Sequence, residues 1–192
     1  MEPVILASAS PRRTELLDRL GVPHITKPQD TDEKFDSSDC LQNALRLAEE
    51  KAESCLREVP DAKWIIAADT IICFKGKKIG KPGDIDSARS ILSDFSGRTH
   101  NVISAVSLIA EGGKSRLSGS ERTKVKFRKL SQSEIDWYLA CGEWADAAGA
   151  YKIQGKGDFL IQGIRGSVSN VMGLSIPLIY GMLKSLGYNF SA

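Results

Sequence analysis

The sequence contains no uninterrupted apolar run approaching the roughly 20 residues needed to cross a bilayer. It does not begin with the basic segment and long apolar stretch of a secretory signal, since its first residues are Met1-Glu2-Pro3-Val4. It also lacks a strong charge of either sign, because 26 Lys and Arg face 24 Asp and Glu and leave a net charge of +2. These absences argue against membrane insertion, secretion and a broad field for polyanions. We expect a cytoplasmic protein with no membrane partner and no stable nucleic-acid partner.

Soft metal ligands are scarce and scattered. The two histidines and four cysteines form no C-x-x-C pair and no ligand cluster, and this argues against a zinc site and predicts reduced thiols. Glycine-rich nucleotide-binding motifs are missing as well. The segment Gly155-Lys156-Gly157 matches neither the P-loop nor the dinucleotide-binding fingerprint, so neither of those two nucleotide-binding folds is supported.

The residues that are present predict one globular α/β domain spanning residues 1–192. Hydrophobic residues make up 42% of the chain and charged residues 26%, values typical of a single folded unit of this length. Apolar runs and helical periodicity alternate along the sequence. They predict a strand over 4–7, a helix from Pro11 to Gly21 capped by Ser10, a helix over 37–56, a strand over 64–74 interrupted at Asp69-Thr70, helices after Asp84 and Ser131, strands over 102–110 and 123–128, and a last helix over 176–186.

Two arginines in the first turn of the first predicted helix break a local rule. The helix dipole disfavours positive charge there by roughly 0.3 to 1 kcal/mol for each residue. A bound anion would reverse that sign, because helix N–H groups, two hydroxyls and two guanidinium groups would converge on a phosphate. The residues concerned are Ser8, Ser10, Arg12 and Arg13. The alternative, two solvated surface arginines, is equally consistent with the spacing.

Asp69 is a carboxylate within an apolar strand, where an unpaired charge would cost several kcal/mol. It therefore needs a metal ion, a lysine or a hydrogen-bonded water, and it is a candidate metal ligand or general base. A capped structural aspartate is the alternative. Glu33, in an acidic run, is a candidate second metal ligand, although most such runs are solvated loops.

Three further basic features are weak alone. Lys51 lies at the rim of a helical apolar stripe, and Lys81 would come opposite Asp69-Thr70 if a tight turn at Lys75-Gly76 returned residues 77–82 as an antiparallel strand. The alternating basic residues of 124–129 are consistent with a nucleic-acid strip, but a solvated strand face is several times more common.

The opening Leu6-Ala7-Ser8-Ala9-Ser10-Pro11-Arg12-Arg13 resembles the signature of the Maf family of nucleotide pyrophosphatases. Further blocks follow in the family's order along the whole chain. They are Leu47-Ala48-Glu49-Glu50-Lys51-Ala52, Ala68-Asp69-Thr70, Gly80-Lys81-Pro82, residues 92–100, residues 148–155 and residues 170–174.

This resemblance implies an α/β, Maf-like (ITPase-like) fold, in which a mixed, curved sheet is flanked by helices and a cleft separates two lobes. Homodimers are frequent in the family. The implied reaction is hydrolysis of a nucleoside triphosphate to the monophosphate and pyrophosphate with Mg²⁺ or Mn²⁺. By resemblance Asp69 is the catalytic residue and, with Glu33, the metal ligand. Ser8, Arg13, Lys51 and Lys81 surround the substrate.

Three positions bear on the choice of substrate. Members that act on dTTP and UTP resemble this chain in carrying Arg12, Thr70 and Gln154, whereas members that act on 7-methyl-GTP tend to show Trp, Gln and Glu. A neutral amide can donate to and accept from a uracil or thymine edge, and an acidic residue suits a cationic base. We therefore expect the dTTP/UTP subtype, with the 7-methyl-GTP subtype and a non-catalytic nucleotide-binding regulator of cell division as alternatives.

The chain departs from the family pattern at two positions. Ala147 replaces a usual Lys, a change that would weaken triphosphate affinity or shift substrate choice, and Ser175 replaces a usual Pro. Neither change removes a residue predicted for the site.

Overall fold

A seven-stranded mixed sheet organises the computed structural model, which describes residues 1–30 and 39–191. Its strands are β1 (Val4–Leu6), β2 (His24–Thr26), β3 (Trp64–Phe74), β4 (Lys77–Ile79), β5 (Thr99–Ala110), β6 (Ser115–Phe127) and β7 (Ile161–Arg165). The strand order is β2-β1-β3-β5-β6-β7, with β4 beside β3. The pairs β1–β2 and β1–β3 are parallel and the other pairs are antiparallel. The predicted α/β class with a mixed sheet is confirmed.

Helices lie on both faces of this sheet. They are α1 (Pro11–Leu20), α2 (Cys40–Glu58), α3 (Ile85–Phe95), α4 (Gln132–Ala140), α5 (Val168–Met172) and α6 (Ile176–Ser185). Helix α3 begins at the predicted N-cap Asp84, which forms a capping box with Ser87. Helix α4 begins at the predicted capping box of Ser131 and Glu134. Within residues 1–30 and 39–191 no helix is both long and apolar enough to cross a membrane.

The central strand β3 has one complete edge and one divided edge. Along its complete edge it pairs with β5 from Trp64 to Cys73. Along the other edge it pairs with β1 only at Ile65 and Ile66, and with β4 only from Ile72 onward. Between these two short neighbours, residues 67–71 of β3 pair with no described strand along this second edge. The sheet therefore opens at Asp69.

The two faces of β3 pack against different helices. Ile65, Ala67 and Ile71 share a face with Asp69 and pack against the small residues of α2, whereas Ala68 and Ile72 belong to the main core on the other face. The side chain of Asp69 consequently points toward α2. Thr70 points to the side that carries α1 and α5, so the divided edge can collect residues from both faces.

Several predicted boundaries were wrong. The strand is continuous through Asp69-Thr70, because pairing with Ala105 and Ser104 of β5 satisfies the backbone there. The tight turn at Lys75-Gly76 is present, with positive φ at both residues, but the returning strand ends at Ile79 instead of residue 82. The strand predicted over 123–128 begins earlier, at Ser115.

Candidate functional site

A cavity of about 1210 Å³ lies at the divided edge of β3. Its walls come from the end of β1, the start of α1, β3, the segment after β4, and the segments 146–154 and 171–173. All of the predicted site residues that the structure describes line this one cavity, namely Ser8, Arg12, Arg13, Lys51, Asp69, Thr70, Lys81 and Gln154. Glu33, the other predicted metal ligand, lies outside the described residues.

Asp69 and Lys51 form a buried ion pair in the cavity wall. The Nζ of Lys51 lies 2.7 Å from Oδ1 of Asp69, and the two residues are only 9% and 7% exposed. The rim position predicted for Lys51 is therefore wrong. Helix α2 packs against the sheet through Ala44, Ala48 and Ala52. Because these side chains are short, α2 lies close to β3 and the side chain of Lys51 is buried between them. Oδ2 of Asp69 makes no hydrogen bond within residues 1–30 and 39–191, so it remains available to a ligand.

Arg13 connects three segments of the chain in the wall of the same cavity. Its Nε donates to the carbonyl of Gly173 at 2.9 Å, and its Nη1 donates to Oγ of Ser8 at 2.9 Å. Its Nη2 donates to Oγ1 of Thr70 at 3.3 Å. Thr70 in turn donates to the carbonyl of Gly173 at 3.2 Å and contacts Oγ of Ser104 at 2.9 Å. These bonds fix the guanidinium group beside Thr70, in the wall of the cavity that Asp69 also lines.

The start of α1 faces the cavity, since Ser10, Pro11 and Arg12 line it. Ser10 occupies the predicted N-cap position, but its side chain makes no capping hydrogen bond. Its backbone N–H donates instead to Oγ of Ser8 at 3.2 Å. Helix N–H groups of this kind attract anions.

The described lining of the cavity is positively charged overall. It contains six basic residues, Arg12, Arg13, Lys51, Lys78, Lys81 and Lys152, and three acidic ones, Asp30, Asp69 and Asp146. A concave surface with this excess raises the local concentration of anions. The arrangement can hold a polyanion against a carboxylate.

Sequence reasoning missed several residues of this lining. Lys78 and Lys152 are the most informative, because each adds a cation. Lys78 falls in the strand predicted to return beside β3, so the same register argument that selected Lys81 was a usable signal. Asp30 belongs to the acidic run that contains Glu33, but it was not singled out. No local pattern marked Lys152 or Asp146, which lie in irregular segments.

The lining is compatible with a divalent cation bound together with its ligand. No group of three or more His, Cys, Asp or Glu residues suited to a metal occurs among the residues the structure describes. Asp69 nonetheless offers a hard oxygen atom without a hydrogen bond. Mg²⁺ is commonly held by one or two carboxylates plus substrate phosphates instead of a complete protein cage.

A sequence model of the family described as Maf-like protein matches residues 3–186. The chain belongs to the Maf family. Its Maf relatives include the dTTP/UTP pyrophosphatase of Pyrococcus furiosus, 42% identical over 184 residues that cover 96% of this chain and 95% of the relative. Those of Syntrophomonas wolfei and Myxococcus xanthus are 44% and 42% identical, covering 96% of this chain in each case and 97% and 92% of the relatives.

A solved structure shares the Maf chain's fold at low sequence identity. A HAM1 protein from Coxiella burnetii superposes with a TM-score of 0.52 and 15% identity, covering 96% of this chain and 100% of that one. This likeness supports the ITPase-like fold expected from the sequence.

Ala147 and Ser175, the two departures from the Maf pattern, lie in different structural environments. Ala147 is buried in the cavity wall, so the missing lysine removes a cation from that wall. Ser175 is the N-cap of α6, where its Oγ accepts from the backbone N–H of Leu178 and donates to Glu121. The serine therefore makes two side-chain hydrogen bonds at this position that a proline could not make.

Proposed function

We propose that this protein hydrolyses dTTP and UTP to the monophosphate and pyrophosphate. The relatives that carry the name dTTP/UTP pyrophosphatase match nearly the whole chain at about 40% identity. The single observation that carries the proposal is the buried Lys51–Asp69 pair within a cavity whose lining is otherwise rich in cations. Nucleoside triphosphates are made and used in the cytoplasm, which is the proposed site of action.

The cations hold the triphosphate. Ser8, Arg13 and Lys81 are proposed to contact its phosphate oxygens. The hydroxyl of Ser8 accepts from Arg13 and from the backbone of Ser10, so its own hydrogen is free to donate to an oxyanion. Arg13 cannot move far, because Gly173 and Thr70 hold its guanidinium. Fixed donors stabilise the charge that develops on the leaving oxygens, the dominant effect expected in phosphoryl transfer.

Asp69 directs the attacking water. A new bond forms between the water oxygen and the α-phosphorus, and the bond from that phosphorus to the bridging oxygen breaks. Pyrophosphate leaves with the electron pair, and Asp69 accepts the proton of the water. Lys51 neutralises the buried carboxylate and holds it in one orientation. Asp69 and, in the proposal, Glu33 would hold a divalent cation, Mg²⁺ or Mn²⁺, together with the phosphates, and this cation would supply charge neutralisation.

Substrate choice is assigned to three residues. Arg12, Thr70 and Gln154 line the cavity, and Gln154 is exposed within it, where its amide can read a pyrimidine edge. The hydroxyl of Thr70 is already engaged by Arg13, Ser104 and Gly173. We therefore infer that Thr70 influences the substrate through the position of Arg13.

The test is a product assay with dTTP, UTP, CTP and 7-methyl-GTP and a divalent cation. We expect monophosphate and pyrophosphate from dTTP and UTP, and loss of turnover in Asp69→Asn. The exposed Asp158→Asn serves as the matched control and should keep parental activity. Preference for 7-methyl-GTP would identify the other subtype. Binding without release of pyrophosphate would identify a non-catalytic nucleotide-binding regulator.

A further inference from the structure

A second, open depression of about 780 Å³ lies where the end of α3 meets the end of β6. We call it the distal basic pocket and define it by its four cations, Arg98, Lys126, Arg128 and Lys129. Its remaining lining residues are Ser93, Ser96, Gly97, Leu130 and Gln162. No carboxylate lines it within the described part of the chain.

The distal basic pocket is separate from the cavity at Asp69, and the two share no lining residue. Their separation follows from the strand register. Asp69 pairs with Ala105 of β5, and Lys126 pairs with Thr99, six residues further along the same strand. At about 3.3 Å per residue this places the two sites about 20 Å apart.

The donors of the pocket are held in place by carbonyl groups. Nζ of Lys126 donates to the carbonyl of Gly97 at 2.7 Å, and Nε of Arg128 donates to that of Ile161 at 3.2 Å. The remaining hydrogens of the ammonium group and the outer edge of the guanidinium group are left for a ligand. The backbone beneath is fixed too, since the N–H of Gly97 donates to the carbonyl of Arg128 at 2.7 Å.

The charges of the pocket are only partly balanced. Arg98 pairs with Asp94 at 3.3 Å, but Lys126, Arg128 and Lys129 form no ion pair with any described residue. Glu134 is a second nearby carboxylate, and hydrogen bonds from Ser131 and the weaker effect of the charge on Arg128 lower its pKa. Three unpaired cations in one depression repel one another, and an anion would remove that cost.

We propose that the distal basic pocket binds a small oligophosphate anion of the size of pyrophosphate. Ser93 and Gln162 add neutral donors to the cations. No aromatic side chain among the described residues lines the pocket, so these residues offer no platform on which a nucleobase could stack. The four cations lie in one depression, and the net charge of the chain is only +2, so no extended basic surface follows from the composition. These features favour a compact phosphate group over a nucleic-acid strand.

The test maps binding by backbone amide NMR shifts during titration with inorganic pyrophosphate without metal. We expect residues 97–98, 126–130 and 162 to shift together and to saturate below about 1 mM. Shifts near Ser8 and Thr70 report the other cavity independently. Unmoved amides at 97–98 and 126–130 would refute the proposal, whatever happens at the cavity near Asp69.

Matched variants separate a defined site from general charge. The double variant Arg128→Gln with Lys129→Gln should weaken binding in the pocket at least about tenfold, since it removes two of the cations that contact the anion. The control, Lys114→Gln with Lys184→Gln, removes two exposed charges elsewhere and should leave binding unchanged. Equal weakening by both pairs would overturn the proposal. So would tighter binding of a single-stranded oligonucleotide at the same amides, which would mark a nucleic-acid site.

Discussion

At the scale of single residues, the Lys51–Asp69 pair, proposed to act in catalysis, depends for its stability on both partners. Each charge loses solvation on burial, and their attraction offsets that loss only while both partners are present. Arg13, which lines the same cavity, does not depend on a single charged partner, because carbonyl and hydroxyl oxygens accept hydrogen bonds from its guanidinium group.

Lys51→Met should therefore lower the free energy of unfolding by about 3–5 kcal/mol, because it leaves the carboxylate of Asp69 buried without its cation. Adding Asp69→Asn in the same chain should restore much of that loss. The measurement is urea unfolding of the parent, the two single variants and the double variant. Lys184→Met is the exposed control, and a loss no larger than this control's would contradict the pairing.

Lys152 is a second residue-scale case, since it lines the cavity and forms no ion pair with the described residues. We expect it to contribute to triphosphate binding in a wall where Ala147 supplies no charge. Lys152→Ala should raise KM for UTP several-fold and leave kcat nearly unchanged, the pattern of lost uniform binding. Lys152→Arg should retain most of the affinity. A parental KM in Lys152→Ala would exclude the contact.

The sequence alone indicated the importance of Asp69 but did not indicate the burial of Lys51. Asp69 could be found because a carboxylate within an apolar strand requires an explanation. The burial of Lys51 could not, because a lysine at the border of a helical stripe usually extends into water. Whether it does so depends on how closely α2 approaches β3, and this distance is set by alanines whose packing no local pattern reports.

At the scale of elements, the site depends on where the neighbours of β3 end. The sequence pattern indicated a break in the strand at Asp69-Thr70, but the break lies in the partner, between the end of β1 and the start of pairing with β4. Local propensity describes a strand and cannot show which edges are covered. The turn at Lys75-Gly76 was predictable, because a tight hairpin requires positive φ and glycine adopts it readily. Both residues have positive φ in the structure.

The start of α6 supplies an element-scale prediction. Ser175 is fully buried and caps the helix through Leu178 while donating to Glu121. Ser175→Ala should cost about 1–2 kcal/mol of stability, because a helix N–H and a carboxylate each lose a partner. Thermal unfolding should show a lower Tm than for Ser90→Ala, an exposed serine in α3. Equal Tm values for the two variants would contradict the capping role.

At the scale of the whole molecule, burial of His100 links stability to pH. Desolvation lowers the pKa of His100 to about 3. The ring stacks on Phe95 at 4.1 Å and meets the hydroxyl of Tyr151 at 2.9 Å. The unfolded chain binds a proton at this residue near pH 6.5, whereas the folded chain does not until near pH 3. Stability is therefore lost as the pH falls through this window.

The contribution of this residue between pH 7 and pH 5 is about 2 kcal/mol. The free energy of unfolding of the parent, measured in urea at both pH values, should fall by at least part of that amount. His100→Phe keeps the aromatic stacking and should show a smaller fall than the parent. The same pH dependence in His100→Phe and the parent would contradict the assignment.

The overall arrangement is the level that local sequence patterns describe least. Arg13 and Gly173, joined by a hydrogen bond, are 160 residues apart in sequence. The strand order that brings them together depends on long-range pairing, which periodicity does not encode. The resemblance to the Maf family, carried by motifs in the same order along the chain, predicted which distant segments meet at the site. The predicted site residues that the structure describes come from distant segments and line one cavity.

The most direct measurement is hydrolysis of UTP with a divalent cation in water enriched in ¹⁸O, followed by ³¹P NMR. Attack on the α-phosphorus places the label in UMP and leaves the pyrophosphate unlabelled, and Asp69→Asn should give neither product. Label in pyrophosphate, release of UDP and inorganic phosphate, or undiminished turnover by Asp69→Asn would contradict the account.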